Sequence, residues 1–139
     1  KNNEQITKSF RAFEAVSCHK GNLNQALIYI DSALYYAKKI KKPTNLGSLY
    51  FAKAWDYLEL NNSKEAIRWQ DTSFFYAEKY EDGTPGVMNL YYGGSRLYER
   101  AGNLSKAFEA FRNYEHIKDS VYKIKRAQKI NELELQYQN

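Results

Sequence analysis

A short segment that occurs three times constrains the fold of this chain more than any other feature. Residues 21–26, 61–66 and 102–107 have the sequences GNLNQA, NNSKEA and GNLSKA. The alanines that end these segments are 40 and 41 residues apart, and a stretch with helical apolar spacing flanks every copy on both sides. Spacing this regular is typical of proteins built from repeated units. The sequence therefore predicts three helix–turn–helix units followed by one further helix.

The repeated segment has the chemistry of a tight turn between two helices. Its first residue is glycine or asparagine, the two types that most readily adopt the left-handed conformation that ends a helix. A polar side chain then caps the second helix, for which the candidates, or their neighbours, are Asn22, Ser63 and Asn103. The small alanine lets the two helices approach closely. Breaks between the units are predicted at Pro43 and at residues 83–86.

The composition fits one folded domain. The chain has 139 residues and a single cysteine, which excludes an internal disulfide. Its mean hydropathy is low, at −0.75, yet 16% of its residues are aromatic, whereas disordered chains are poor in aromatic residues. The net charge of +5 is modest for a nucleic-acid binder, and no apolar run has the length of a membrane span. We therefore expect no direct contact with nucleic acid and no membrane contact within this segment.

The three units resemble the tetratricopeptide repeat (TPR), whose signature places an aromatic residue, a small residue and a tyrosine on the first helix, then alanine and an aromatic residue on the second. Anchored on the repeated alanines, the small position falls on Glu14, Ala54 and Ser95. Glu14 departs from that pattern, as does Gln70 at the second aromatic position of the middle copy. Aromatic residues expected to pack one hairpin on the next are Phe10, Tyr50, Tyr57, Tyr91, Tyr98 and Phe111.

The resemblance implies an all-α, right-handed superhelical array of three long TPR-like hairpins plus a C-terminal helix. The hairpins are expected at about 4–42, 44–81 and 85–118, and the terminal helix at about 119–139. A period near 40 residues also suits HEAT and armadillo repeats, but their turns lack the glycine–asparagine–leucine segment that precedes the alanine here.

The same resemblance implies a binding groove on the concave face, which the first helix of each pair lines. Groove positions projected onto this chain include Phe51, Trp55 and Tyr92, with Arg11 and Arg96 at the rims. An aromatic trough with basic rims suits an extended peptide or a helix that carries some acidic residues. The alternative is that Phe51 and Trp55 are ordinary packing residues between repeats, because an error of one residue in register exchanges the two roles.

The C-terminal segment carries a second resemblance. Residues 114–121 and 130–137 look like the segment that closes the repeat array in signalling proteins of the Bacteroidetes, where an aspartate–serine pair, here Asp119 and Ser120, opens a long helix. Those proteins are sensor histidine kinases and transcriptional regulators. The resemblance implies that this chain is a fragment of a longer one and serves as its sensor or scaffold region. The compartment is periplasmic or cytoplasmic, with a slight preference for the periplasm.

An apolar stripe on the terminal helix leaves a second interpretation open. Its members recur at three and four residues, so they form one stripe on a helix: Ile117, Val121, Ile124, Ala127, Ile130, Leu133 and Tyr137. Part of this stripe is expected to cover the open end of the array, and the rest to pair with another helix. The alternative function is therefore a self-contained adaptor that homodimerises through the terminal helix.

Residues for enzymatic chemistry are few. Cys18 and His19 are adjacent on one helix, so their side chains point about 100° apart, which does not suit a nucleophile and its base. The chain has no histidine pair spaced for a metal, and Gly93–Gly94 lacks the spacing of a phosphate loop. The two glycines are instead expected to allow close helix packing. We predict a non-catalytic module with no metal and no cofactor, and disfavour an enzyme or a nucleic-acid binder.

Overall fold

The computed structural model describes residues 2–80 and 85–138, which form six helices and no strand. In chain order these are α1 (Asn3–His19), α2 (Leu23–Ala37), α3 (Leu46–Glu59), α4 (Ser63–Tyr80), α5 (Pro85–Arg100) and α6 (Leu104–Gln138). Pro43 lies between α2 and α3, as expected of a break between units. Of the break predicted at residues 83–86, residues 83–84 lie outside the described residues, and Pro85 and Gly86 begin α5. Among the described helices, none combines the length and the apolar character needed to cross a membrane.

The three repeated turns have the predicted left-handed residue. Gly21, Asn61 and Gly102 have φ angles of 83°, 62° and 92°. Each is followed by an asparagine whose backbone N–H donates to a carbonyl five residues earlier, at 2.8, 2.9 and 2.9 Å, which satisfies a carbonyl at the end of the helix. In the second turn the capping side chain belongs to Asn62, whose Oδ1 accepts from the Glu65 N–H at 3.2 Å, rather than to Ser63.

The helices pair into three hairpins, α1–α2, α3–α4 and α5–α6, which stack through α2–α3, α4–α5 and α3–α5. One core cluster joins the first hairpin to the second, and another joins the second to the third. The small position of the repeat is buried in all three copies, including Glu14, which is only 3% exposed. Gln70, the other departure from the pattern, is fully buried. The register inferred from the alanines is therefore confirmed.

Glycine allows α5 to lie close against α4. A Cβ atom on Gly94 would collide with the ring of Phe74, and one on Gly93 would come within 2.9 Å of the Phe51 ring. The packing role expected for the two glycines is confirmed. On the same side of the array, Asp71 of α4 accepts hydrogen bonds from the Tyr98 hydroxyl and the Lys106 ammonium, which ties the second hairpin to the third.

The last helix differs from the prediction in two respects. Residues 104–138 form one continuous helix, so the predicted terminal helix of 119–139 is the C-terminal half of α6 and Asp119 does not open a new element. The Ser120 hydroxyl bonds instead to the His116 carbonyl one turn earlier, at 3.1 Å. Only the start of the apolar stripe is covered: Ile117 and Val121 are half-buried, whereas Ile124 and Leu133 are 58% and 51% exposed.

The prediction that Phe111 packs one hairpin on the next was wrong. Phe111 is 41% exposed, whereas its counterparts on the inner helices are buried, because no helix packs on the outer side of α6 within the described residues. Its ring contacts that of Tyr114 on its own helix, at 5.5 Å between centroids. The aromatic residues expected on the inner helices are buried or half-buried: Phe10, Tyr50, Tyr57, Tyr91 and Tyr98.

We expect replacement of a turn glycine to destabilise the array. A Cβ atom on Gly102 would meet no neighbour within 4 Å, so Gly102→Ala should cost only the strain of a left-handed alanine, about 1 kcal/mol of the free energy of unfolding. Asn61→Ala should cost a similar amount, whereas the control Asn61→Gly should not destabilise. Urea unfolding followed by circular dichroism measures all three, and a fully stable Gly102→Ala variant would contradict this account of the turns.

Candidate functional site

The first helices of the three hairpins share one cavity. It has a volume of about 440 Å³ and is lined by α1, α3 and α5. All five residues predicted for the groove line it: Arg11, Phe51, Trp55, Tyr92 and Arg96. The other lining residues are Glu14, Ala15, Cys18, His19, Ala52, Asp56 and Gly93. Stacking of the hairpins therefore brings together side chains from three distant parts of the sequence.

Aromatic rings form one side of the cavity. The rings of Phe51 and Trp55 lie 5.9 Å apart between centroids and are tilted by 44°. Tyr92 is 43% exposed, and its ring packs on that of Tyr114 of α6, with 5.1 Å between the ring centroids. Phe51 and Trp55 are half-buried and also contact the core cluster between the second and third hairpins. Both residues therefore pack against the core and also line the cavity.

The two predicted basic rims differ in what they contact. The Arg11 guanidinium is bound to the Glu14 carboxylate, with 2.6 Å between Nη1 and Oε1. Arg96 is exposed and forms no ion pair with any residue that the structure describes. A third arginine, Arg100, lies with its guanidinium 5.2 Å from the centre of the Trp55 ring. Arg100 also pairs with Glu59 at 3.5 Å and does not line the cavity, so of these three arginines Arg96 is the one without an ion pair among the described residues.

A buried acidic cluster forms the inner wall of the cavity. The Cys18 sulfur and carboxylate oxygens of Glu14 and Asp56 lie within 4.8 Å of one another. Glu14 and Asp56 are only 3% and 1% exposed. Among the residues that the structure describes, neither oxygen of Asp56 has a hydrogen-bond partner. A buried carboxyl without a partner is costly, and so is the buried Gln70 amide, whose two polar atoms also lack partners among the described residues; of the two, Asp56 is the one that lines the cavity.

The cluster shifts the acid–base behaviour of its members. Burial, and next the neighbouring Glu14 carboxyl, raise the pKa of Asp56 well above its ordinary value. Burial, and next Asp56, raise the pKa of the Cys18 thiol to about 12. A thiol with so high a pKa is protonated at neutral pH and is a poor nucleophile. The geometry suits binding better than covalent chemistry.

Sequence reasoning missed the role of this cluster. Glu14 stood out only as a departure from the repeat pattern, and Asp56 was not singled out. A signal was present in the stretch of residues 49–58. All of these residues are apolar or aromatic except Lys53 and Asp56, so Asp56 is the one acidic residue there. A charged residue in such a stretch indicates either an exposed helix face or a buried polar site. The sequence does not distinguish them without the orientation of α3.

Comparison with known proteins supports the fold. The crystal structure of the TPR domain of Arabidopsis FLU superposes with a TM-score of 0.68 at 19% sequence identity, covering 85% of this chain and 98% of that one. No family model and no curated protein matches the sequence. At this identity the similarity concerns the fold alone. The chain is therefore an all-α array of TPR-like hairpins.

We expect Asp56→Asn to stabilise the protein at neutral pH. Because the native pKa of Asp56 is raised, the native state keeps this proton at pH values where the unfolded chain has released it. The contribution of Asp56 to the free energy of unfolding of the wild type is therefore highest below the unfolded pKa, near 4, and falls as the pH rises. The advantage of the variant should grow with pH by at most about 1.4 kcal/mol per unit. Urea unfolding between pH 4 and about 7 measures the difference.

A matched control is Asp119→Asn, which removes an exposed carboxyl from α6. This variant should follow the pH dependence of the wild type. An Asp56→Asn protein that loses stability relative to the wild type as the pH rises would contradict the account, because it would mean that the charged form of Asp56 is the stabilising one.

Proposed function

We propose that this chain is a non-catalytic module that binds a protein or peptide in the cavity between α1, α3 and α5. One observation carries the proposal: three hairpins contribute aromatic and charged side chains to a single open concavity. Phe51, Trp55 and Tyr92 provide large rings of the kind that dominate binding energy at protein interfaces, and Arg96 provides an exposed charge. A similar fold in a TPR domain supports an interaction role.

We expect Trp55→Ala and Tyr92→Ala each to weaken peptide binding without loss of fold. Peptides selected from a random displayed library on the wild-type protein should bind each variant roughly 30-fold more weakly, the effect of losing an interface residue worth about 2 kcal/mol. The measurement is fluorescence anisotropy of the selected peptide, with circular dichroism as the check on helix content.

A matched control is Tyr35→Ala, which removes an aromatic ring that is 58% exposed on α2, outside this cavity. It should leave peptide affinity unchanged. Peptides that bind the Trp55 and Tyr92 variants as tightly as they bind the wild type would contradict the site. Collapse of the helical signal in both variants would assign the two rings to the core instead.

The proposal extends to a setting inside a larger bacterial signalling or transcriptional regulatory protein. The C-terminal resemblance to Bacteroidetes signalling proteins supports it, and so does the continuous α6, whose described C-terminal half projects from the array. In this role α6 connects the binding array to an output domain. The module then acts as a sensor or scaffold region, and ligand binding at the cavity is the event that the output domain reads.

The exposed apolar residues of α6 favour one alternative, a self-contained adaptor that homodimerises through this helix. Ile124, Ile130 and Leu133 are each more than half exposed. If a second copy covers them, Ile130→Glu combined with Leu133→Glu should convert a dimer into a monomer, because charges would enter the interface. Sedimentation velocity over a range of concentrations measures this. A wild type that remains monomeric at every concentration would exclude the adaptor.

A further inference from the structure

The inner wall of the cavity is short of positive charge. Two carboxyl groups, those of Glu14 and Asp56, meet there with the Cys18 thiol. The one cation bound to the cluster is the Arg11 guanidinium, which contacts Glu14 and is itself 42% exposed. Asp56 is 1% exposed, and both of its oxygens lack a hydrogen-bond donor. The wall therefore has capacity for a further donor, and preferably a cationic one.

The aromatic side of the cavity fits the same chemistry. The face of an aromatic ring carries partial negative charge and attracts ammonium and guanidinium groups. The Trp55 ring already makes such a contact on its own chain, because the Arg100 guanidinium, which does not line the cavity, lies 5.2 Å from its centre. Phe51 and Tyr92 present further rings to the same cavity. A cation that entered between these rings would move toward the acidic wall.

We propose that the cavity anchors a basic side chain of the partner, a lysine or an arginine, between the rings of Phe51, Trp55 and Tyr92 and opposite the carboxyls of Glu14 and Asp56. The inference rests on the proposed function and specifies its ligand. It revises the expectation of a peptide or helix that carries some acidic residues, since Arg11 is engaged by Glu14 and, of the two predicted rim arginines, Arg96 remains for an acidic neighbour of the anchor.

A metal ion is the other ligand for a cluster of two carboxyls and a thiol, and it fits the site less well. A cavity of about 440 Å³ walled by aromatic rings is far larger than an ion needs, and it has the size of a side-chain site. The Arg11 guanidinium also lies against Glu14, so a metal bound there would face a positive charge at short range. The raised pKa of Cys18 keeps the thiol protonated, whereas a metal needs the thiolate.

The test is a nuclear magnetic resonance titration with small probes that isolate the side-chain chemistry. N-acetyl-lysine methylamide and N-acetyl-arginine methylamide are added in turn to the whole 139-residue protein. The reporters are the indole N–H of Trp55 and the backbone N–H of Cys18. We expect saturable shifts at both reporters with at least one cationic probe. N-acetyl-glutamate methylamide, matched in its backbone, should give no saturable shift there.

Two neutralising variants and one control assign the effect to the cluster. Asp56→Asn and Glu14→Gln keep the shape of each side chain and remove the negative charge that it holds in the complex; Asp56, whose pKa is raised in the free protein, acquires that charge when the cation binds. Each variant should weaken the cationic probe roughly tenfold, the effect of losing a charge-assisted hydrogen bond. Glu99→Gln removes an exposed carboxyl of the same helix that carries Tyr92, outside the cavity lining, and should leave the affinity of the probe unchanged.

Several outcomes would overturn the inference. No saturable shift with either cation, or equal binding of the glutamate probe, excludes a basic anchor. Saturable binding of Zn²⁺ that Cys18→Ser abolishes, without binding of the cations, assigns the cluster to a metal. The proposed function can fail separately from this inference. If library peptides depend on Trp55 but the cationic probes do not bind, peptide binding in the cavity is supported and the basic anchor is excluded. If the probes bind and no peptide is selected, the cation site stands without the peptide function.

Discussion

The three hairpins depend on a backbone conformation that most residues avoid. Each turn places one residue at a φ angle between 62° and 92°, which glycine adopts freely and asparagine tolerates. The hydrogen bonds around that residue end one helix and lead directly into the next, so the three units are alike enough to stack in register. The stacking then sets α1, α3 and α5 side by side and allows residues as distant in sequence as Arg11 and Arg96 to line one cavity.

The inner wall of that cavity follows from the repeat register. Glu14 occupies the position that Ala54 and Ser95 hold in the other copies, so the stacking that buries a small side chain elsewhere buries a carboxylate here. Arg11, one turn earlier on α1, is ion-paired with Glu14, whereas Asp56 has no ion pair and neither of its oxygens has a hydrogen-bond partner among the described residues. Buried groups without partners lower stability. A basic side chain from a partner would supply the missing donor, which connects the weakest point of the packing to the proposed function.

Local chemistry made the fold predictable from the sequence. The turn segments, the alanine spacing and the positions that face the neighbouring helix all depend on residues a few positions apart, and they predicted the hairpins. The TPR resemblance, laid on that register, then pointed to Phe51, Trp55 and Tyr92, which line the cavity. The acidic cluster was not predictable in this way, because it depends on which direction Asp56 faces once α3 packs against α1. The boundary expected at Asp119 rested on a resemblance alone. No glycine or proline follows Gly102, so nothing in the chain interrupts α6.

The unpaired, buried carboxyl of Asp56 is the central claim, and its own titration tests that claim most directly. The ¹³C chemical shift of the Asp56 side-chain carboxyl, followed against pH in the folded protein, reports its protonation without any substitution. The account predicts a midpoint well above the ordinary value of about 3.9 for aspartate, because burial and the neighbouring Glu14 disfavour the charged form. A midpoint at or below that value would show that Asp56 is solvated or paired, and would contradict the account.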